Sequence, residues 1–136
     1  MASQHPSTEN LASFLRRIFL KQFPQYANCF TVFSLSDNGI NDVVGFCEMK
    51  ADPQTGKLSL YKKNVVLFGD REPTTLCHEV IHGLGLCHTH FDDEPILKEE
   101  KKYVFTRKTT DNIMSYASSR KTTWHWQWEL IRDKNK

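Results

Sequence analysis

The sequence predicts an α+β domain: a small mixed sheet with one helix ahead of it, a second helix behind it and a third at the C-terminus. Three observations carry that expectation. Apolar residues recur at helical spacing near the N-terminus and again over residues 77–84. Between those runs lie short β-branched and aromatic stretches punctuated by Gly, Asn, Asp and Pro. A last tract, residues 122–132, returns to helical spacing.

Leu11, Phe14, Leu15, Ile18 and Phe19 fall at i, i+3, i+4, i+7 and i+8, a single stripe on a helix. Ser7 or Thr8 is placed to cap it and Pro24 to stop it. Residues 29–35 form the first expected strand, and Ser36-Asp37-Asn38-Gly39 a turn. Further strands are expected over 43–49, 58–61 and 65–68, with a turn at Asp52-Pro53-Gln54-Thr55-Gly56. Pro73 suits the first turn of a helix whose buried face is expected to be Cys77, Val80, Ile81 and Leu84. Residues 91–102, acidic and then basic, read as loop. Trp124, Trp128 and Ile131 share a helical face, although the alternation Trp124, Trp126, Trp128 would also suit a strand.

A chain of 136 residues accommodates one domain, residues 1–136, and is long enough to bury a core; residues 1–9 are expected to be a disordered tail. The net charge of +2 comes from scattered lysines and arginines, so no nucleic-acid partner is expected. The basic cluster at 98–102 is interrupted by Glu99 and Glu100 and reads as a solvated surface. No apolar run is long enough to insert in a membrane, and the polar start lacks the pattern of a signal peptide. Cys29, Cys47, Cys77 and Cys87 lack zinc-ribbon spacing, and either two disulfides or buried free thiols fit them.

The chemistry concentrates in His78-Glu79-Val80-Ile81-His82-Gly83-Leu84-Gly85-Leu86-Cys87-His88. Helical residues four apart lie one above the other, about 6 Å along the axis. His78 and His82 therefore present two imidazoles to one point, as Zn2+ requires. Glu79 lies one step around the helix, beside the metal, where a carboxylate takes a proton from bound water. Gly85 permits a left-handed residue, so the chain can turn back and bring His88 in as third ligand. Cys77, one step the other way, is expected on the core face and not among the ligands.

The segment matches the metzincin signature H-E-x-x-H-x-x-G-x-x-H position for position, and the chain resembles that clan of zinc metalloendopeptidases. The resemblance also implies a methionine turn beneath the metal, and Asp111-Asn112-Ile113-Met114-Ser115-Tyr116 looks like it, with Met114 as its methionine. In two branches of the clan, the astacins and serralysins, a tyrosine two residues after that methionine approaches the metal, which gives Tyr116 the role of an oxyanion donor. Thr89, after the third histidine, matches none of the common branch markers, so no branch is assigned. By the same resemblance the partner is a peptide or protein substrate, bound as an extended strand along a sheet edge just before the active helix, here residues 65–69.

The remaining candidates carry less. His90 and His125 are expected to be surface or otherwise satisfied histidines, His5 to lie in the tail, and Asp92, Asp93 and Glu94 to form a solvated acidic turn. Two other readings stay open: a downstream glutamate in place of His88, and a catalytically silent zinc domain that binds a protein partner. With no pro-segment thiol ahead of Cys29 the chain is expected to be active as it stands. It looks like the toxin domains carried by larger bacterial effectors, secreted or delivered to a target cell and restrained by an immunity or inhibitor protein. An extracellular peptidase trimmed of its leader is the alternative.

Overall fold

A computed structural model describes residues 8–51, 54, 58–90 and 104–136. Helix α1 (Thr8–Gln22) leads into a 3-10 turn (Pro24–Tyr26) and then strands β1 (Thr31–Ser34), β2 (Gly45–Ala51) and β3 (Leu58–Leu67). Helix α2 (Thr75–Gly83) and helix α3 (His125–Lys134) complete the fold, which is α+β with a mixed sheet, as expected. The sheet order is β1-β3-β2: Val65 of β3 faces Val32 of the parallel β1 on one side and Cys47 of the antiparallel β2 on the other.

Alternation along β3 sorts the layers. Val66 packs with Ala12 and Phe68 on the α1 side, where Asn64 Nδ2 also donates to the Ala12 carbonyl at 3.0 Å. Val65 and Leu67 point the other way, with Cys47, toward α2. Gly83 allows that helix to lie close, since a Cβ there would stand 2.4 Å from Phe30 Cζ. Beyond α2 a further core of Ile81, Leu86, Ile113 and Met114 is closed by Leu130 and Ile131 of α3. Among the described residues no helix is long and apolar enough to cross a membrane.

Several expectations are corrected. The two strands read at 58–61 and 65–68 are one, because Lys62 and Asn64 satisfy their polar ends on Glu48 instead of breaking the strand. Cys29 lies in an exposed bend ahead of β1, and none of the four cysteines is in a disulfide. On α1 the inward residues centre on Ala12, whose small side chain lets the helix approach β3, and Phe14 and Ile18 are left exposed. The buried face of α2 is the histidine row itself, with Thr75, Glu79 and Ile81; Cys77 is exposed and points to solvent, while Val80 and Leu84 are half-buried. Pro73 precedes the N-cap instead of entering the first turn. The tract at 122–132 is a helix from His125, but its buried residue is Gln127, and Trp128 faces outward. Residues 65–69 are no sheet edge: Val65 and Val66 sit in the central strand with no exposure, and the edges are β1 and β2. His5, the acidic Asp92, Asp93 and Glu94, and the rest of 91–102 lie outside the described residues.

Candidate metal centre

Helix α2 delivers His78 and His82 from successive turns, and its ending delivers His88. Gly85 has φ +103°, and its N–H donates to the His82 carbonyl (2.7 Å) while that of Leu86 donates to the Ile81 carbonyl (3.2 Å). This is the paired bonding of a Schellman ending, completed by the apolar contact of Leu86 with Ile81. The end of α3 secures the turn from outside: Lys134 Nζ donates to the Gly85 carbonyl and Asn135 Nδ2 to the Leu84 carbonyl, both at 3.0 Å.

The three imidazoles are buried, and their Nε2 atoms converge: His78 to His82 is 3.2 Å, His78 to His88 3.2 Å and His82 to His88 3.0 Å. Their opposite nitrogens explain the orientation. His78 Nδ1–H donates to the Ile113 carbonyl and His82 Nδ1–H to the Leu86 carbonyl, each at 2.7 Å. A carbonyl only accepts, so the proton of each ring sits on Nδ1 and its Nε2 is a bare lone pair. Two bare lone pairs at 3.2 Å share no hydrogen, and His88 can donate to only one of them. A cation between the three relieves the repulsion. Three neutral nitrogens around a tetrahedral ion at 2.0–2.1 Å are about 3.3–3.4 Å apart, so the observed spacing is compatible with a zinc site. Burial, opposed by the bond to Ile113, pushes His78 down to about 3, so that ring is neutral at physiological pH.

The residues around Met114 form the floor. Met114 has no exposure and packs on Ile81 and Leu86, and its carbonyl accepts the Thr89 N–H at 3.1 Å. Asn112 Oδ1 caps the turn at the Met114 N–H (3.0 Å). Asn112 and Gln127 also exchange amide hydrogen bonds at 2.9 and 3.0 Å, and Gln127 Oε1 accepts the Trp124 N–H that starts α3. One buried amide pair thus fixes the turn that holds His78 to the helix that closes the core.

A cleft of about 710 Å³ opens beside the centre, lined by His78, Glu79, Tyr116 and Arg120, with Gly45 of β2 on the facing wall. Glu79 is buried, and desolvation pushes its carboxyl up to about 7; Arg120 and the backbone N–H of Cys47, which donates to it, act in the opposite direction. Tyr116 is half-buried, its ring centroid 4.5 Å from that of His88 and 5.8 Å from that of His78, with the Arg107 guanidinium 4.9 Å over its face. His90, expected at the surface or otherwise satisfied, is buried and stacks on His88 at 5.0 Å, whereas His125 is exposed. Cys77 contributes nothing to the cluster, and His78, His82 and His88 form the group that could hold a metal ion among the described residues.

Four contributors escaped the sequence reading. Tyr61 stacks on the His82 ring at 4.4 Å, Gln127 anchors the methionine-bearing turn, and the Ile113 carbonyl orients His78. Arg120 brings a nearly buried cation to the cleft. Tyr61, Gln127 and Arg120 lie in no local motif, and Ile113, although inside the methionine-bearing turn, acts through its backbone carbonyl on a partner far away in sequence.

Comparison with known protein families, with curated proteins and with solved structures returns no match to this chain, so the three-histidine centre stands on its own geometry.

Proposed function

We propose that the chain is a zinc-dependent endopeptidase of the metzincin type. The observation that carries this reading is the triangle of histidine nitrogens, oriented by two backbone carbonyls and bordered by a buried carboxylate in an open cleft. His78, His82 and His88 would hold the metal, which when bound polarises a peptide carbonyl and acidifies water.

The chain's own groups do the rest. Glu79, kept from solvent, has its proton affinity raised toward neutrality, which suits a group that must take a proton from water and return it to the leaving amine. Tyr116 stands over His88 at the cleft wall, where its hydroxyl can donate to an oxyanion. The substrate strand belongs along β2, the edge whose Gly45 lines the cleft, and not along β3.

The test is turnover of a mixed peptide substrate by zinc-loaded protein beside Glu79→Gln. The reading requires hydrolysis by the parent and a loss of at least about 1000-fold in the variant with zinc retained. Equal turnover by both would refute the role of Glu79. Zinc binding with no hydrolysis would favour the silent, partner-binding domain.

A further inference from the structure

Helix α2 begins without a side-chain cap. Thr74 occupies the N-cap position, but its hydroxyl accepts the Nε–H of Arg120 at 3.2 Å and does not turn back onto the helix. The next residue, Thr75, is 1% exposed, and its Oγ1 has no hydrogen-bond partner among the described residues. An uncapped helix start presents open N–H groups and the positive end of the helix dipole. A buried hydroxyl without a partner is costly unless something fills the place.

Arg120 stands over this start. Its side chain is only 10% exposed, one Nη1–H donates to the Ser115 carbonyl at 3.2 Å, and Nη2 meets the exposed Glu72 carboxylate at 3.8 Å, beyond hydrogen-bond reach. Of five guanidinium N–H groups, two are committed, to Thr74 and Ser115. Thr75, Glu72 and Arg120 all line the cleft that holds His78 and Glu79; elsewhere on its wall Arg107 and Lys108 are matched by Asp42 and Asp70, so the positive charge is local to Arg120.

We propose that the N-terminus of α2, Thr75 and Arg120 form a carboxylate-binding subsite of this cleft. It selects peptides that carry a carboxylate next to the bond to be cut. The inference rests on the peptidase reading above. A carboxylate fits the three together: the guanidinium fork takes two oxygens, the helix start favours the charge, and the buried Thr75 hydroxyl, once turned toward the cleft, gives a further hydrogen bond. Glu72, loosely placed and solvated, yields its position to the substrate. A neutral isostere leaves the buried donors unmatched, which is the kind of mismatch that discriminates strongly. The carboxylate can be an Asp or Glu side chain or the free end of the chain.

The experiment compares kcat/KM for peptides with Glu, Gln or Lys on either side of the scissile bond, and for free against amidated C-termini. Glu is expected to exceed Gln at one position by about 10-fold or more; if the chain end is the ligand, amidation produces that loss instead. Arg120→Gln should erase the preference. Since Arg120 also ties Thr74 to Ser115, the isosteric Thr75→Val and the competitor-free Glu72→Gln give independent checks, the first weakening the preference and the second sharpening it. The same peptides are titrated against the Glu79→Gln variant as a binding readout. Turnover without preference for a carboxylate overturns the subsite and leaves the peptidase standing. No turnover, with tighter binding of the Glu peptide, keeps the subsite and removes the peptidase. Equal binding of Glu and Gln peptides, together with equal binding of free and amidated ones, overturns the subsite.

Discussion

Two buried glutamates on opposite faces of one sheet have opposite surroundings. Glu48, 2% exposed, turns toward α1 and accepts hydrogen bonds from Lys62 Nζ, Ser13 Oγ and Asn64 Nδ2. Glu79, 9% exposed, turns into the cleft and receives one backbone N–H, from Cys47, the residue just before Glu48. Burial raises the proton affinity of both. Around Glu48 the donors outweigh burial and its carboxyl falls below the ordinary 4.5, while around Glu79 burial wins and the carboxyl rises to about 7. A satisfied carboxylate holds a fold together, and an under-satisfied one is left free to exchange a proton.

The contrast predicts that neutralising each glutamate has opposite consequences. Glu79→Gln abolishes turnover but leaves the metal-free protein as stable as the parent or more so at neutral pH, because the amide removes a poorly solvated charge. Glu48→Gln leaves turnover within a few-fold and lowers stability by about 2 kcal/mol, a figure reduced because Lys62 is 42% exposed. The pH dependence follows from its sign. Glu48 has a folded pKa below 4.5, so its contribution is full above that value and is lost as pH falls through the folded one. Denaturant melts from pH 7 to 3 should therefore show an acid decline that is shallower in Glu48→Gln, and parallel curves would count against the network.

On the cleft side the next effect is that of Tyr116. Tyr116→Phe should cost about 10-fold to 1000-fold, mostly in kcat, as expected for one oxyanion donor. A change confined to KM would make it a binding residue, and no change would make its packing on His88 structural.

A smaller effect tests how the third histidine is presented. Gly85→Ala places a side chain at φ +103° and a Cβ 2.8 Å from Lys134 Cδ. Metal affinity should fall by about 10-fold to 100-fold while the protein remains folded, because the turn that carries His88 is strained and not removed. Zinc titration in competition with a chelator reads this directly, and unchanged affinity would mean that His88 does not depend on the turn.

The two faces were not equally legible in the sequence. His78, His82, Gly85 and His88 could be read because helix geometry and a glycine ending act over a few residues, and the left-handed Gly85 is where the spacing required it. Met114 was legible through its Asn112-bearing turn, whose cap is again local. The inward face of α2 was misread because apolar periodicity assumes an apolar core, and here the side facing the sheet is filled by histidines and a glutamate. Strand order was also missed: β3 is central only because β1 and β2 flank it, which no stretch of β3 encodes. Arg120, Gln127 and Tyr61 became visible only with the partners that the fold brings to them.

Everything on the cleft side depends on the three nitrogens acting as one ligand set. The most direct measurement is metal content and affinity, by calorimetric titration of zinc into metal-free protein, for the parent and for His78→Ala, His82→Ala and His88→Ala. The account predicts one zinc per chain and loss of most of that affinity in each variant, with the fold retained by circular dichroism. Stoichiometric zinc at unchanged affinity in folded His88→Ala would contradict it.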